Sequence, residues 1–104
     1  MSLNIFQTNN LFTTSPAVLT PSSGGTVLNA NTSGRNKWMI QNLGTNPLYV
    51  NLGGTASSTA YHFVLKACAV AQDGSGGSYE SGDVIWQGSV SVAGTSPTCC
   101  VLEM

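Results

Sequence analysis

The sequence predicts an all-β protein: a single β-sandwich, jelly-roll-like, with about eight short strands and an extended N-terminal arm. Short segments rich in Val, Ile, Tyr and Trp alternate between apolar and polar residues, which is the period of a β-strand. Clusters of Gly, Ser, Asn and Pro separate these segments, as they do in sandwiches and barrels. Only residues 67–71 suit a turn of helix instead.

The chain divides into an arm and one domain. At 104 residues it can bury roughly 60–70% of its unfolded surface in a single core. We assign residues 13–104 to the sandwich and residues 1–12 to the arm, which carries Phe6 and Phe12 among amides without a clean period. Such an arm is either disordered or docked on a neighbouring subunit. The N-terminus lacks a secretory pattern, so we expect folding in a reducing cytoplasm.

Strands are predicted in order along the domain. Residues 16–20 and 26–30 have weak patterns. Residues 36–42 are stronger, because Trp38 and Ile40 fall on one face.

Two further strands place polar side chains opposite an apolar face. Residues 48–52 turn Tyr49 away from their apolar side chains, which makes Tyr49 the best candidate for a contact surface. Residues 61–66 alternate in the same way, and we interpret His62 as a surface or interface residue rather than a catalytic base. The remaining predicted strands are 83–87, 89–93 and 98–103.

One short motif occurs twice. GTNP precedes the strand at 48–52, and GTSP precedes the strand at 98–103. Gly relaxes the backbone and Pro fixes φ, so the residues before Pro, Asn46 and Ser96, are pushed towards extended geometry. We interpret both copies as corners that start a strand, not as a duplicated ligand loop. Corners at one end of a sandwich would be well placed to contact a neighbouring subunit.

Charge is scarce in this chain. Lys, Arg, Asp and Glu make up 7% of the residues, against about 25% in an average domain. Three basic residues are too few to neutralise a nucleic-acid backbone or to bind an anionic membrane. The chain is therefore either a monomer with a neutral polar surface or a subunit covered by partners. The second is favoured, because interface cores are depleted in charge.

Few residues offer chemistry. Cys68, Cys99 and Cys100 are odd in number and lack metal-ligand spacing, so we expect free thiols that behave as small apolar residues. The acidic residues of 73–83 could form a cluster, and Asp73 opens a DGSGG segment that resembles the start of a calcium loop. A plain Asp-Gly turn is the favoured interpretation. We predict no enzymatic activity, no cofactor and no metal.

The aromatic residues leave one alternative open. Trp38, Trp86, Tyr49, Tyr61 and Tyr79 suit a sugar-binding face, a core or a subunit interface. Strand alternation favours the core for Trp38 and Trp86. A carbohydrate-binding β-sandwich module therefore remains an alternative function.

The string "IQNLGTNPLYVNLGG…STAYHFVLKA…DGSGGSY…IWQGSVSVAGTSP" resembles small proteins encoded among the virion genes of tailed bacterial viruses. The resemblance covers residues 35–103 and is specific as a combination of motifs. Members often have Gly soon after LKA, where this chain has Cys68. The first thirty residues carry none of it.

The resemblance implies a virion structural protein, most plausibly a head decoration or cement protein made in the host cytoplasm and placed on the capsid exterior. Such proteins commonly bind the major capsid protein lattice as trimers, and β-sandwich or jelly-roll bodies occur among them. A head fibre or tail accessory subunit is the alternative within this setting. The residues expected at interfaces are Phe6, Phe12, Asn46, Tyr49, His62 and Ser96.

Overall fold

The protein is described by a computed structural model over residues 18–32, 34–82 and 85–103. These ranges are all-β, with seven strands and no helix, and so no helix that could cross a membrane. The strands are β1 (Gly25–Leu28), β2 (Trp38–Asn42), β3 (Leu48–Leu52), β4 (Phe63–Leu65), β5 (Ser78–Glu80), β6 (Val90–Ala93) and β7 (Cys99–Glu103).

The strands form two antiparallel sheets. The four-stranded sheet has the order β1-β6-β3-β4, and the three-stranded sheet has the order β5-β2-β7. In the first sheet, Tyr49 lies opposite Ala93 on one side and Val64 on the other. In the second, Ile40 lies opposite Val101. Because Tyr49, near the start of β3, lies opposite Ala93, the last residue of β6, the loops before β3 and after β6 lie at the same end of the four-stranded sheet.

Both sheets contribute to one hydrophobic core. Ile40 and Val50, from different sheets, have no exposed surface. Alternate residues of β2 are buried along its whole length, so the period of two in the sequence does mark the inward face. The buried members of the core are Leu28, Trp38, Ile40, Leu48, Val50, Leu65, Val90, Val92, Cys99 and Val101.

The strongest strand predictions are confirmed. The segments 36–42, 48–52, 89–93 and 98–103 each contain an observed strand whose ends differ by at most two residues. The weak segment 26–30 overlaps β1, which begins one residue earlier and ends two residues earlier. These segments combine β-prone residues with flanking turn residues, and both signals agree.

The prediction for residues 83–87 is wrong in their described part, because residues 85–87 form no strand. The Trp86 indole donates instead to the Ser89 carbonyl at 3.1 Å, which closes a turn. A strand that the sequence does not predict, β5, lies within residues 73–83, where the sequence favours only an Asp-Gly turn. Two glycines precede β5 and hide its short alternation.

Two other predicted strands are shorter than expected. Residues 61–66 yield only β4, since Tyr61 and His62 belong to the preceding loop. Of residues 16–20, the described part contributes one bridge, in which Leu19 and Cys99 exchange hydrogen bonds of 2.8 and 3.0 Å. The described residues therefore hold seven strands rather than about eight. Residues 67–71 form no helix.

The loop between β1 and β2 buries a charge. Arg35 is only 1% exposed and pairs through Nε with the carboxylate of Glu103 at 2.9 Å. Its guanidinium also donates to the carbonyls of Asn29 at 2.5 Å, Gly88 at 2.7 Å and Trp86 at 3.4 Å. One side chain thus joins β7 to two separate loops, with the planar fork geometry that suits arginine.

Candidate functional site

The two copies of the repeated motif lie side by side. The Asn46 amide donates to the carbonyl of Thr95 at 3.1 Å, so GTNP and GTSP touch at one end of the four-stranded sheet. Gly94 has a φ of 152° and Ser96 a φ of 47°, both in the region that L side chains rarely adopt. The extended geometry predicted for Ser96 is therefore wrong, because the turn places this residue in the left-handed region. The two corners therefore do more than start strands, because together they form one continuous wall.

The loop between β3 and β4, residues 53–62, folds back over the outer face of the same sheet. Ser91 of β6 points outward yet is only 2% exposed, because this loop covers it. Its hydroxyl accepts from the Ala56 N–H at 2.9 Å and donates to the Gly54 carbonyl at 2.7 Å. One serine thus fixes the loop to the sheet through both its donor and its acceptor capacity.

A cleft lies between this loop and the two corners. Its volume is about 430 Å³, within the range of roughly 300–1,000 Å³ typical of small-molecule sites. No charged side chain lines it. The lining residues are Ser23, Asn46, Pro47, Tyr49, Ser57, Ser58, Gly94 and Thr95.

Two tyrosines pack against each other at the outer face of the sheet, and one of them, Tyr49, lines the cleft. The rings of Tyr49 and Tyr61 have centroids 5.0 Å apart and planes tilted by 52°. Tyr61 is 44% exposed, and Val64, which lies opposite Tyr49 in the sheet, is 42% exposed. We call the exposed Tyr61 and Val64, together with the half-buried Tyr49, the outer strip.

The other three aromatic candidates pack against the core. Trp38 is 1% exposed and its ring lies 5.3 Å from Tyr79. Tyr79 also contacts Phe63, with centroids 4.5 Å apart. Trp86 is half-buried and packs against the core cluster, as predicted, but from a turn rather than from the strand on which that prediction was based. A contact surface built on aromatic rings therefore reduces to the two tyrosines of the outer strip.

His62 is exposed and closes the loop onto β3. The imidazole Nδ1 of His62 accepts from the Leu52 N–H at 3.0 Å, and the backbone N–H of His62 donates to the Val50 carbonyl at 2.7 Å. The imidazole therefore has a structural role beside the outer strip. It follows Tyr61 directly in the chain but does not line the cleft.

The DGSGG segment is a hydrogen-bonded turn. One Asp73 oxygen accepts from both the N–H and the hydroxyl of Ser75, at 2.8 and 2.6 Å, and the other accepts from the Val70 N–H at 3.0 Å. The Ser75 hydroxyl and N–H, followed by the Val70 N–H, lower the pKa of Asp73 to about 2. Its carboxylate lone pairs are thus directed at the protein's own donors.

The described residues contain no group of three or more His, Cys, Asp and Glu side chains that could hold a metal. Cys68, Cys99 and Cys100 are free thiols, and the first two are buried. Burial, with a smaller effect of Cys100, raises the pKa of the Cys99 thiol to about 12. Cys99 is thus kept as an unreactive thiol at neutral pH.

The structure brings together three of the six residues predicted at interfaces. Asn46 and Tyr49 line the cleft, and Ser96 follows Thr95 at its edge. Phe6 and Phe12 lie outside the described residues. The sequence did not reveal Ser57 and the other loop serines that line the cleft, because a Ser-rich stretch between strands reads as a plain connection.

Comparison of the chain with protein-family models, curated proteins and solved structures found no match.

Proposed function

We propose that the protein is a non-enzymatic virion component, a capsid decoration protein that trimerises and bridges major capsid subunits on the exterior of a phage head. The resemblance over residues 35–103 supports this proposal, and so does the low content of charged residues. A protein of this kind acts through contact area, with roughly 1,600 Å² buried in a typical stable interface. Three linked contacts in a trimer raise its avidity further.

The outer strip is the observation that carries the proposal. Val64 in the edge strand β4 and Tyr61 in the loop before it each expose more than two fifths of their surface. Tyrosine is enriched at protein interfaces relative to the rest of the surface. Lys66 is exposed two residues after Val64 and leaves a cation at one end of the strip.

We propose in addition that the two sheets form a jelly-roll sandwich. The bridge from Leu19 places a further segment beside β7. If that segment counts as strand one of eight, the sheet orders become 1-8-3-6 and 2-7-4-5. This interleaving of early and late strands is that of a jelly roll, an architecture found in viral capsid and lectin domains. Slow amide exchange at Leu19, comparable to that of β7, would support the eighth strand.

The proposal is tested with purified protein and expanded capsids that lack it. Light scattering gives the mass in solution, and capsids are heated with and without added protein. We expect a trimer that restores heat resistance. Val64→Lys places a charge in the outer strip and should weaken capsid binding at least tenfold. Val70→Lys, at a position that is 66% exposed outside the strip, is the matched control and should bind normally.

Two further results bear on the placement of the protein. Deleting residues 1–12 should weaken capsid binding while the domain stays folded, if the arm acts as a strap. Gold-labelled antibody should decorate heads in electron micrographs of virions. Label confined to tails would favour the accessory-subunit alternative, and a monomer that leaves capsids unprotected would overturn the proposal.

A further inference from the structure

We propose that the cleft lined by Tyr49, Asn46 and Ser58 is a binding site for a neutral saccharide. This inference does not depend on capsid binding. It starts from the chemistry of the lining, which combines serine hydroxyls, an amide, backbone groups, proline and a tyrosine ring. Ionic ligands find no countercharge there, since no lining residue is charged. Purely apolar ligands would leave these polar groups without partners.

A sugar ring matches this combination. It has hydroxyl groups around its rim, which both donate and accept hydrogen bonds, and apolar C–H faces that pack on aromatic rings. Tyr49 supplies an aromatic surface within the cleft, and Tyr61, outside the lining, packs against it with ring centroids 5.0 Å apart. Aromatic rings beside a few convergent polar groups are the usual composition of a small-molecule site.

Three polar groups in the cleft are available to a ligand. Within the described part of the chain, the Tyr49 hydroxyl, the Asn46 side-chain oxygen and the Ser58 hydroxyl have no hydrogen-bond partner. The Asn46 side-chain nitrogen donates to the Thr95 carbonyl, so the side-chain oxygen is the atom left for a ligand. The amide orientation is thus set by the protein, and an acceptor is left for a sugar hydroxyl.

The walls of the cleft are held before any ligand arrives. Ser57 and Ala60 exchange backbone hydrogen bonds of 3.0 and 3.2 Å, which close the loop tip. The Asn51 amide donates to the Ala60 carbonyl at 3.2 Å and so ties the tip to β3. On the other wall, the Gly94 N–H donates to the Ser23 hydroxyl at 3.2 Å. A site that is fixed in this way avoids the entropic cost of ordering loops on binding.

The test is an NMR titration of the ¹⁵N-labelled protein with D-glucose, D-galactose, D-mannose, N-acetylglucosamine and their oligomers. D-glucuronate and sialate serve as acidic counterparts. We expect saturable shifts at the cleft residues with at least one neutral sugar, and affinity at least tenfold lower for the acidic ones.

Two variants keep the test decisive. Tyr49→Ala should lower affinity at least tenfold, and Ser58→Phe, at an exposed loop position, should block the cleft without disturbing the core. Val64→Ala lies on the same face outside the cleft and should leave sugar binding unchanged. The inference is wrong if no neutral sugar gives saturable shifts, or if Ser58→Phe binds as well as the parent. Neither result would affect the capsid assay, where Val64→Lys is the informative variant.

Discussion

Replacing Arg35 by methionine tests whether the buried ion pair organises this fold. Methionine keeps an unbranched apolar stem but removes the charge and every donor of the guanidinium. Glu103, whose side chain is 17% exposed, then loses its cationic partner. The carbonyls of Asn29 and Gly88, which accept from the guanidinium at 2.5 and 2.7 Å, lose those bonds as well.

The expected loss is large for a domain of this size. Removing one partner from a buried pair costs about 3–5 kcal/mol, because the remaining charge stays desolvated. A domain of this length has a free energy of unfolding of about 5–15 kcal/mol, so the variant would lose a large share of it. With a urea m-value of about 1.5 kcal/mol/M, a loss of 4 kcal/mol lowers the midpoint by roughly 2–3 M.

Urea unfolding followed by tryptophan fluorescence measures this loss. Lys37→Met is the matched control, because Lys37 is exposed two residues away and its replacement should change stability by no more than about 0.5 kcal/mol. Glu103→Gln combined with Arg35→Met should be more stable than Arg35→Met alone, since it removes the negative charge that has lost its ion pair with Arg35. A loss below about 1 kcal/mol for Arg35→Met would refute this account of the pair.

Single contacts of Gly76, Asp73 and Cys99 each have a measurable effect. A Cβ at Gly76 would overlap the backbone oxygen of Asn42, the last residue of β2, so Gly76→Ala should lower the free energy of unfolding in urea by about 3 kcal/mol. Gly82→Ala is the control, because nothing lies within 4 Å of its Cβ, and it should cost less than about 1 kcal/mol. Equal losses in the two variants would contradict the contact. The Asp73 carboxyl should titrate by NMR with a pKa of about 2, and Ser75→Ala should raise that pKa towards 3.8. Because folding lowers this pKa, the contribution of the Asp73 carboxylate to stability is complete above about pH 4 and is lost as the pH falls towards 2. An unchanged Asp73 pKa in Ser75→Ala would rule out the Ser75 hydroxyl as the cause of the lowered pKa. The Cys99 thiol, with a pKa of about 12, should stay unmodified by a thiol reagent at pH 8 in the folded protein and react after unfolding, whereas fast labelling of the folded state would show that it is accessible.

In β2 and β3, local alternation predicts which residues face the core. In β3, burial follows the sequence pattern from Leu48 to Val50, and Tyr49 lies on the outer side as expected. This works because the period of a strand is a property of neighbouring residues. The same holds for β2, where Trp38 and Ile40 are both buried.

The cleft and the buried charge could not be predicted in the same way. The loop of residues 53–62 is held on the sheet by Ser91, whose hydroxyl accepts a hydrogen bond from the Ala56 N–H, 35 residues away in the sequence. Such a contact leaves no periodic signal in the sequence. Arg35 reads as a surface residue, because arginine is rarely buried unless it is paired, and its partner Glu103 lies 68 residues away. Composition showed that charge was scarce, but not that two of the few charges were used inside the fold.

The bridge between Leu19 and Cys99 also determines how the domain responds to mechanical force. The two segments run antiparallel, so Val18 and Cys100 leave the bridge on the same side. Tension applied between the chain before residue 18 and the C-terminal end of β7 therefore pulls on these hydrogen bonds one after another. Pairs loaded in this way separate at lower force than pairs loaded in parallel. A load transmitted through the arm would accordingly peel the first segment from β7 and leave the core intact.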